Sequence, residues 1–352
     1  MRIAQVSLLT DTVVPWPSSN AGRATVYLIE ALAREHEVTL FAPEQWETSA
    51  ELVRLRRIER QESLEQFHRL MVRSALRGAE RFDILHLHSD RPCLPAVGQM
   101  EAPCVVTLHA PCAIPDWVAA WDAAVVPTSW CQQVTDAAAN LRPPIPHGVP
   151  ARLHSFREAG SGYLAYNGPI AHDSGINDAV RLAERSGLEL KVVSDVAMAD
   201  RGYFTEVLVP MLHANRRVQW TAELDDRARN TLLGGARALL ASSDRSGAFE
   251  MQIIEALACG TPVIAWVDTA AASIIEAGTS GFVVRNSEEA LAALAKIATL
   301  DRRACRRLFE ERFETRLIAG QYSQLYARLL HAHEAAVVTV ESCRRTSAPS
   351  RR

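Results

Sequence analysis

The chain twice alternates short apolar runs with amphipathic stretches, and this rhythm leaves few folds open to it. In the first series, strand-length runs stand at Ile3–Leu8, Glu37–Phe41, Asp83–His88, Cys104–His109 and Ala123–Pro127. Helical spacing fills about Ala24 to Arg34 and Ser49 to Arg81. The second series has runs at Tyr163–Tyr166, Leu188–Val193, Val218–Thr221, Ala238–Ala241 and Val263–Trp266. Its helices lie near Ile176–Ser186, Asp225–Gly234 and Glu250–Ala258, and long helices then fill Ser287 to His333. Strands alternating with helices predict an α/β fold with a parallel, doubly wound sheet, here one per series. Residues 143–162 between the series are rich in Pro, Gly, Ser and His and read as a linker. Two Rossmann-like halves are therefore expected, at 1–150 and 160–305, with ligands beyond the carboxyl ends of their strands.

Composition narrows the function classes. At 352 residues and 48% hydrophobic content the chain has material for two ordinary cores. A formal net charge of −3 argues against nucleic acid as the main partner. Five acids are interspersed with the eight arginines of Ser49–Arg81, so this segment reads as a solvated helical face and not as a membrane surface. Seven scattered cysteines without a CxxC pair indicate neither a disulfide framework nor a structural zinc site. A reducing cytoplasm is the expected location. The start, MRIAQVSLL, reads as a first strand and not a signal peptide, and no apolar run is long enough for a transmembrane segment. The end, 341–352, reads as a disordered tail.

The most informative chemical stretch runs from Gly247 to Trp266, GAFEMQIIEALACGTPVIAW. It reads as a loop, an amphipathic helix, a Gly260-Thr261-Pro262 turn and a buried strand. Glu255 is an acid among apolar helical positions, and a buried carboxylate needs a partner. Upstream, Asn20-Ala21-Gly22 read as a loop leading into a helix N-terminus. His86 and His88 alternate on one side of a strand and read as satisfied structural histidines. A metal there has no further ligand spacing to support it. His109 stands at a strand's carboxyl end.

Taken in order, from Met1 to about Leu330, these stations resemble the retaining family-four glycosyltransferases. That resemblance implies the GT-B fold, with two parallel sheets facing an interdomain cleft. It also implies retaining transfer of a sugar from a nucleotide-diphosphate donor to a small-molecule or glycan acceptor, with no metal and no cofactor. Glu255 would accept hydrogen bonds from the ribose hydroxyls, and His109 would be the catalytic residue that meets the donor sugar. Gly22, Gly168 and the backbone of Gly247, Ala248 and Phe249 would face phosphate. The segment 310–333, with Phe313, Tyr322, Tyr326 and Leu329, resembles the closing helix that crosses back to the first domain. Thr128-Ser129-Trp130 and Pro146-His147-Gly148-Val149 match fold landmarks.

Three charged groups of the family's donor site are absent. The first of its two glutamates falls on Gly247, its arginine on Pro169 and its lysine on Ser174. Those two cations would grip the diphosphate. Three readings compete. The site is rebuilt, with Arg245 or His172 supplying charge. The donor is unusual or less anionic. Or the protein is a non-catalytic GT-B partner or regulatory subunit that has kept the fold and lost the reaction.

Overall fold

The structure is a computed structural model, describing residues 1–8, 19–43, 47–55, 64–89, 102–109, 123–128, 140–168, 170, 174–194, 201–221, 224–241, 251–267 and 269–346. Two compact units emerge, one reaching Ile145 and resuming at Ile318, the other spanning Pro146–Leu317.

The first unit runs β1 (Arg2–Val6), α1 (Asn20–Leu32), β2 (Glu37–Pro43), β3 (Glu51–Leu55), α2 (Leu64–Leu76), β4 (Ile84–Ser89), β5 (Cys104–Leu108) and β6 (Ala123–Pro127). Its strands are all parallel, in the order β3-β2-β1-β4-β5-β6. Every residue of β4, β5 and β6 is buried, as strands covered on both faces require. Alternate side chains feed opposite cores. Ile3, Leu40, Ile84 and Val105 meet α1 and residues Ile318–Tyr326, while Ala4, Leu85 and Val106 meet Phe67, Met71 and Ala75 of α2.

The second unit continues with β7 (Tyr163–Asn167), α3 (Ile176–Ser186), β8 (Glu189–Val193), α4 (Arg201–Tyr203), α5 (Val209–Ala214), β9 (Val218–Thr221), α6 (Asp226–Gly235) and β10 (Ala238–Ala241). Then come α7 (Met251–Ala258), β11 (Val263–Trp266), α8 (Thr269–Ile274), β12 (Gly281–Val284), α9 (Ser287–Ile297), α10 (Arg302–Arg312) and α11 (Thr315–Thr346). The sheet order is β12-β11-β10-β7-β8-β9. Renumbered from its own first strand, that is the order of the first sheet. The sequence rhythm thus does produce two parallel six-stranded α/β sheets.

The structure corrects several local expectations. Ser49–Arg81 is not one helix: Glu51–Leu55 pairs in parallel with β2, Leu40 opposite Leu52 and Phe41 opposite Val53. Its Glu and Arg suggest a helix, but an edge strand tolerates half-exposed charges. The 341–352 tail is helical as far as Thr346, since a helix nucleated by a packed first half propagates cheaply. Unread in the sequence were β12, α4, α5 and α8, all short. Residues 143–162 lack long regular elements but are tied down, with Val149 N–H donating to Phe313 O and Thr315 N–H to Val149 O.

One arginine organises the second unit. Arg302, 9% exposed, donates to the backbone oxygens of Arg157, Gly234 and Ala236 and to Thr261 Oγ1. Thr261 in turn donates to Leu233 O at 2.7 Å. Gly260 turns the chain at φ 79°, where a Cβ would sit 2.6 Å from Phe156. Arg302→Met should cost at least about 3 kcal/mol, because several buried acceptors lose their donor together; chemical denaturation would read this.

Burial also sets an acid limit. It pushes His86 and His147 down to about 3 and His68 to about 4. Folded, these rings stay neutral; unfolded, they bind protons below about 6.5. Their contribution is complete above about 6.5 and is lost as pH falls toward 4 and then 3. Each should remove roughly 1.4 kcal/mol per pH unit in that window. Denaturant midpoints at falling pH should show this, and His147→Asn should reduce the slope by its own share, roughly 1.4 kcal/mol per pH unit.

Candidate functional site

In both sheets the strand order reverses direction between the first strand and the fourth, β1/β4 and β7/β10. Crevices beyond the carboxyl ends at such points are where open α/β sheets bind ligands.

At β1/β4 the sheet carries a buried polar line. Gln5 on β1, His86 and His88 on β4, Thr107 on β5 and His109 just after it are each no more than 4% exposed. Along one arm, Gln5 Nε2 donates to Tyr326 Oη at 3.4 Å, and Tyr326 Oη lies 2.6 Å from His86 Nδ1. His86 Nε2 is 2.8 Å from Thr107 Oγ1, itself 2.8 Å from Tyr322 Oη. Along the other, Gln5 Oε1 accepts from His88 Nε2 at 2.8 Å, and His88 Nδ1 is 2.9 Å from His109 Nε2. Buried polar atoms must be paired, and these are. Burial pushes the Tyr322 phenol above its ordinary range and Tyr326 well above it, so both stay neutral.

Gly22 lies in the first turn of α1, not in a loop before it, and its N–H is taken by Ser19 Oγ at 3.0 Å. That N–H reaches a phosphate only if the cap opens. Beside it, Arg23 is 4% exposed, with its guanidinium 5.8 Å from the centre of the Tyr27 ring. Sequence reasoning passed over this cation, and also over Gln5, whose one signal is an amide inside the apolar run RIAQV.

At β7/β10, Gly168 follows β7, its N–H donating to Val193 O at 3.3 Å. Ser174 is buried, and its carbonyl accepts from Tyr166 Oη at 3.0 Å. Next, Gly175 takes φ 81° and begins α3 without a side-chain cap. The first N–H groups of α3 therefore form a positive helix end. Glu255 lies on α7, which follows β10, and is 1% exposed. Its nearby charge and, mainly, burial push the Cys259 thiol up to about 12, so that thiol is inert. Arg245, Gly247, Ala248, Phe249 and His172 lie outside the described residues. Among the described residues no group of three or more His, Cys, Asp or Glu is arranged to hold a metal ion.

Comparison with known proteins fits this geometry. Residues 21–149 match the family model "Glycosyltransferase Family 4", and residues 171–300 match "Glycosyl transferases group 1". The chain carries the two domains of a glycosyltransferase. No curated protein matches its sequence. Among solved structures, a glycosyltransferase of avilamycin A biosynthesis aligns with TM-score 0.73 at 21% identity, over 94% of this chain and 98% of that one. Sucrose-phosphate synthase from Thermosynechococcus elongatus aligns at 0.71 and 20%, over 94% and 99%. Anabaena HepE, solved in complex with UDP-glucose, aligns at 0.69 and 16%, over 93% and 100%. At such identities the likeness establishes the GT-B fold of this glycosyltransferase. No helix among its described residues is long and apolar enough to cross a membrane.

Tyr326 binds the last helix of the glycosyltransferase to its first sheet. Tyr326→Phe should leave Gln5 Nε2 and His86 Nδ1 short of a partner and cost about 1–3 kcal/mol. The loss should appear in denaturant unfolding followed by a probe within residues 1–145.

Proposed function

We propose that this glycosyltransferase takes a nucleoside-diphosphate sugar and transfers the sugar with retention, without a metal or further cofactor, to a small-molecule or glycan acceptor. One observation carries the reading. Gly168, the side-chain-free N-terminus of α3 and the buried carboxylate Glu255 belong to the elements on either side of the β7/β10 reversal. A carboxylate accepts from both ribose hydroxyls, and helix N–H groups favour a phosphate. The donor domain is then 160–305. The acceptor domain is 1–150 together with the 310–333 segment, and His109 meets the sugar. HepE's complex with UDP-glucose makes a uridine nucleotide the first donor to test. The expected setting is the cytoplasm.

A second reading keeps the fold and drops the reaction. It rests on Pro169, Ser174 and Gly247, where the family has two cations and an acid. A thermal-shift series with UDP, UDP-glucose and other nucleoside-diphosphate sugars separates the two. Ligand at 100 times its dissociation constant should stabilise by about 2.7 kcal/mol. Glu255→Gln should weaken nucleotide binding by roughly 1.5–3 kcal/mol in calorimetry, because a charge-assisted acceptor is lost. Arg245→Ala should weaken the diphosphate and leave the nucleoside alone; if it changes nothing, His172 is the next cation to replace. No binding by any nucleotide sugar at millimolar concentration would sink the transferase reading in favour of the second.

A further inference from the structure

We propose that His88 is the positioning residue of His109: backed by Gln5, it holds the His109 imidazole in the tautomer protonated on Nε2. Gln5 Nε2 donates to Tyr326 Oη, so its carbonyl oxygen is the atom 2.8 Å from His88 Nε2. A carbonyl oxygen only accepts, so His88 Nε2 carries a hydrogen. A cationic His88 would be a charge buried between two other imidazoles, the His86 and His109 ring centres lying 4.2 and 5.1 Å away. His88 is therefore neutral, its one hydrogen is spent on Gln5, and Nδ1 is a lone pair. That lone pair faces His109 Nε2 at 2.9 Å, so His109 must donate.

The consequence is local and chemical. His109 is itself only 4% exposed, and a second charge there would be buried too; neutral, with its hydrogen committed to His88, it keeps its own lone pair on Nδ1. Whatever meets Nδ1 must be a donor, as a sugar hydroxyl is. The same amide also reaches the second arm, donating to Tyr326 Oη, which lies 2.6 Å from His86 Nδ1. One amide orientation thus fixes the His88 and His109 rings. Any role of the His109 lone pair in transfer rests on the glycosyltransferase reading above; the tautomer itself does not.

The test is a long-range proton–nitrogen correlation spectrum of the full chain labelled with nitrogen-15 histidine, recorded without ligand. His109 is assigned by loss of its signals in His109→Gln. The native spectrum should show His109 protonated on Nε2 with Nδ1 bare. His88→Asn, whose amide can accept near the position of Nδ1, should preserve that pattern. His88→Leu should turn it into a mixture of tautomers while the His86 signals, a check on the fold, stay in place. Protonation of His109 on Nδ1 in the native chain overturns the proposal, as does an unchanged His109 pattern in His88→Leu. The native spectrum decides even where the leucine variant does not fold. Turnover with a donor from the binding series adds a second readout. His88→Leu should lower kcat by about tenfold or more with little change in donor KM, and His88→Asn should restore most of it. Because the spectrum needs no donor, a chain that binds no nucleotide sugar fails the transferase reading and leaves the tautomer result standing.

Discussion

A phenol–imidazole contact of 2.6 Å, Tyr326 Oη to His86 Nδ1, joins the last helix to the middle of the first sheet, and much of the first unit depends on it. A parallel sheet covered on both faces has no water for its polar side chains. Three imidazoles, an amide and a threonine in its interior are tolerable only if each atom finds a partner there. The sheet cannot supply all of them. Tyr322 and Tyr326, from a helix more than 200 residues further along the chain, close the line. The fold of residues 1–145 is therefore completed by the C-terminus, and the geometry of His109 inherits whatever α11 holds in place. Losing one member strands several others, so this line is a place where a small substitution acts at a distance.

The second unit solves a different problem with the same currency of hydrogen bonds. Arg302 ties the end of α6 and the segment after α7 to Arg157 by donating to three backbone oxygens and Thr261. Gly260 and Thr261 are thus explained by packing: one supplies a left-handed turn beneath Phe156, the other a hydroxyl that both accepts and donates. Their presence marks the fold. It adds nothing to the case for catalysis.

This distinction also explains what could be read from the sequence. The strand–helix rhythm follows from burial on both faces of a parallel sheet, a constraint that acts on each segment locally, so the α/β class and the division into two sheets were legible. The edges were not. Glu51–Leu55 becomes a strand because β2 offers an open side, and nothing within those five residues announces that partner. Gly281–Val284 was also missed: it is a four-residue edge strand that pairs with β11 alone among the described strands. Of the polar line, the histidine pair was visible as alternation on one strand. Gln5 was not, because its role is set by Tyr326 and His88, both far from it in sequence. Gly22 matched a loop pattern yet sits in a helix whose Ser19 cap claims its N–H.

Magnitudes bear on the choice between an altered donor site and a lost one. A helix N-terminus gives a bound anion about 0.3–1 kcal/mol, up to about 2 when sheltered. Each cation expected at positions 169 and 174 would give a charge-assisted hydrogen bond of roughly 1.5–3 kcal/mol. The uncapped start of α3 therefore cannot replace both. A site that still binds a nucleoside diphosphate tightly needs at least one further cation, and Arg245 is the nearest in sequence to Glu255 and α7. Without one, the ribose contact at Glu255 would remain while the diphosphate grip weakened, and nucleoside affinity would then stand out against poor diphosphate affinity. The two outcomes differ in which half of the ligand is held, so the ratio of nucleoside to diphosphate affinity, more than either value alone, reports what the loss of charge at Pro169 and Ser174 has done.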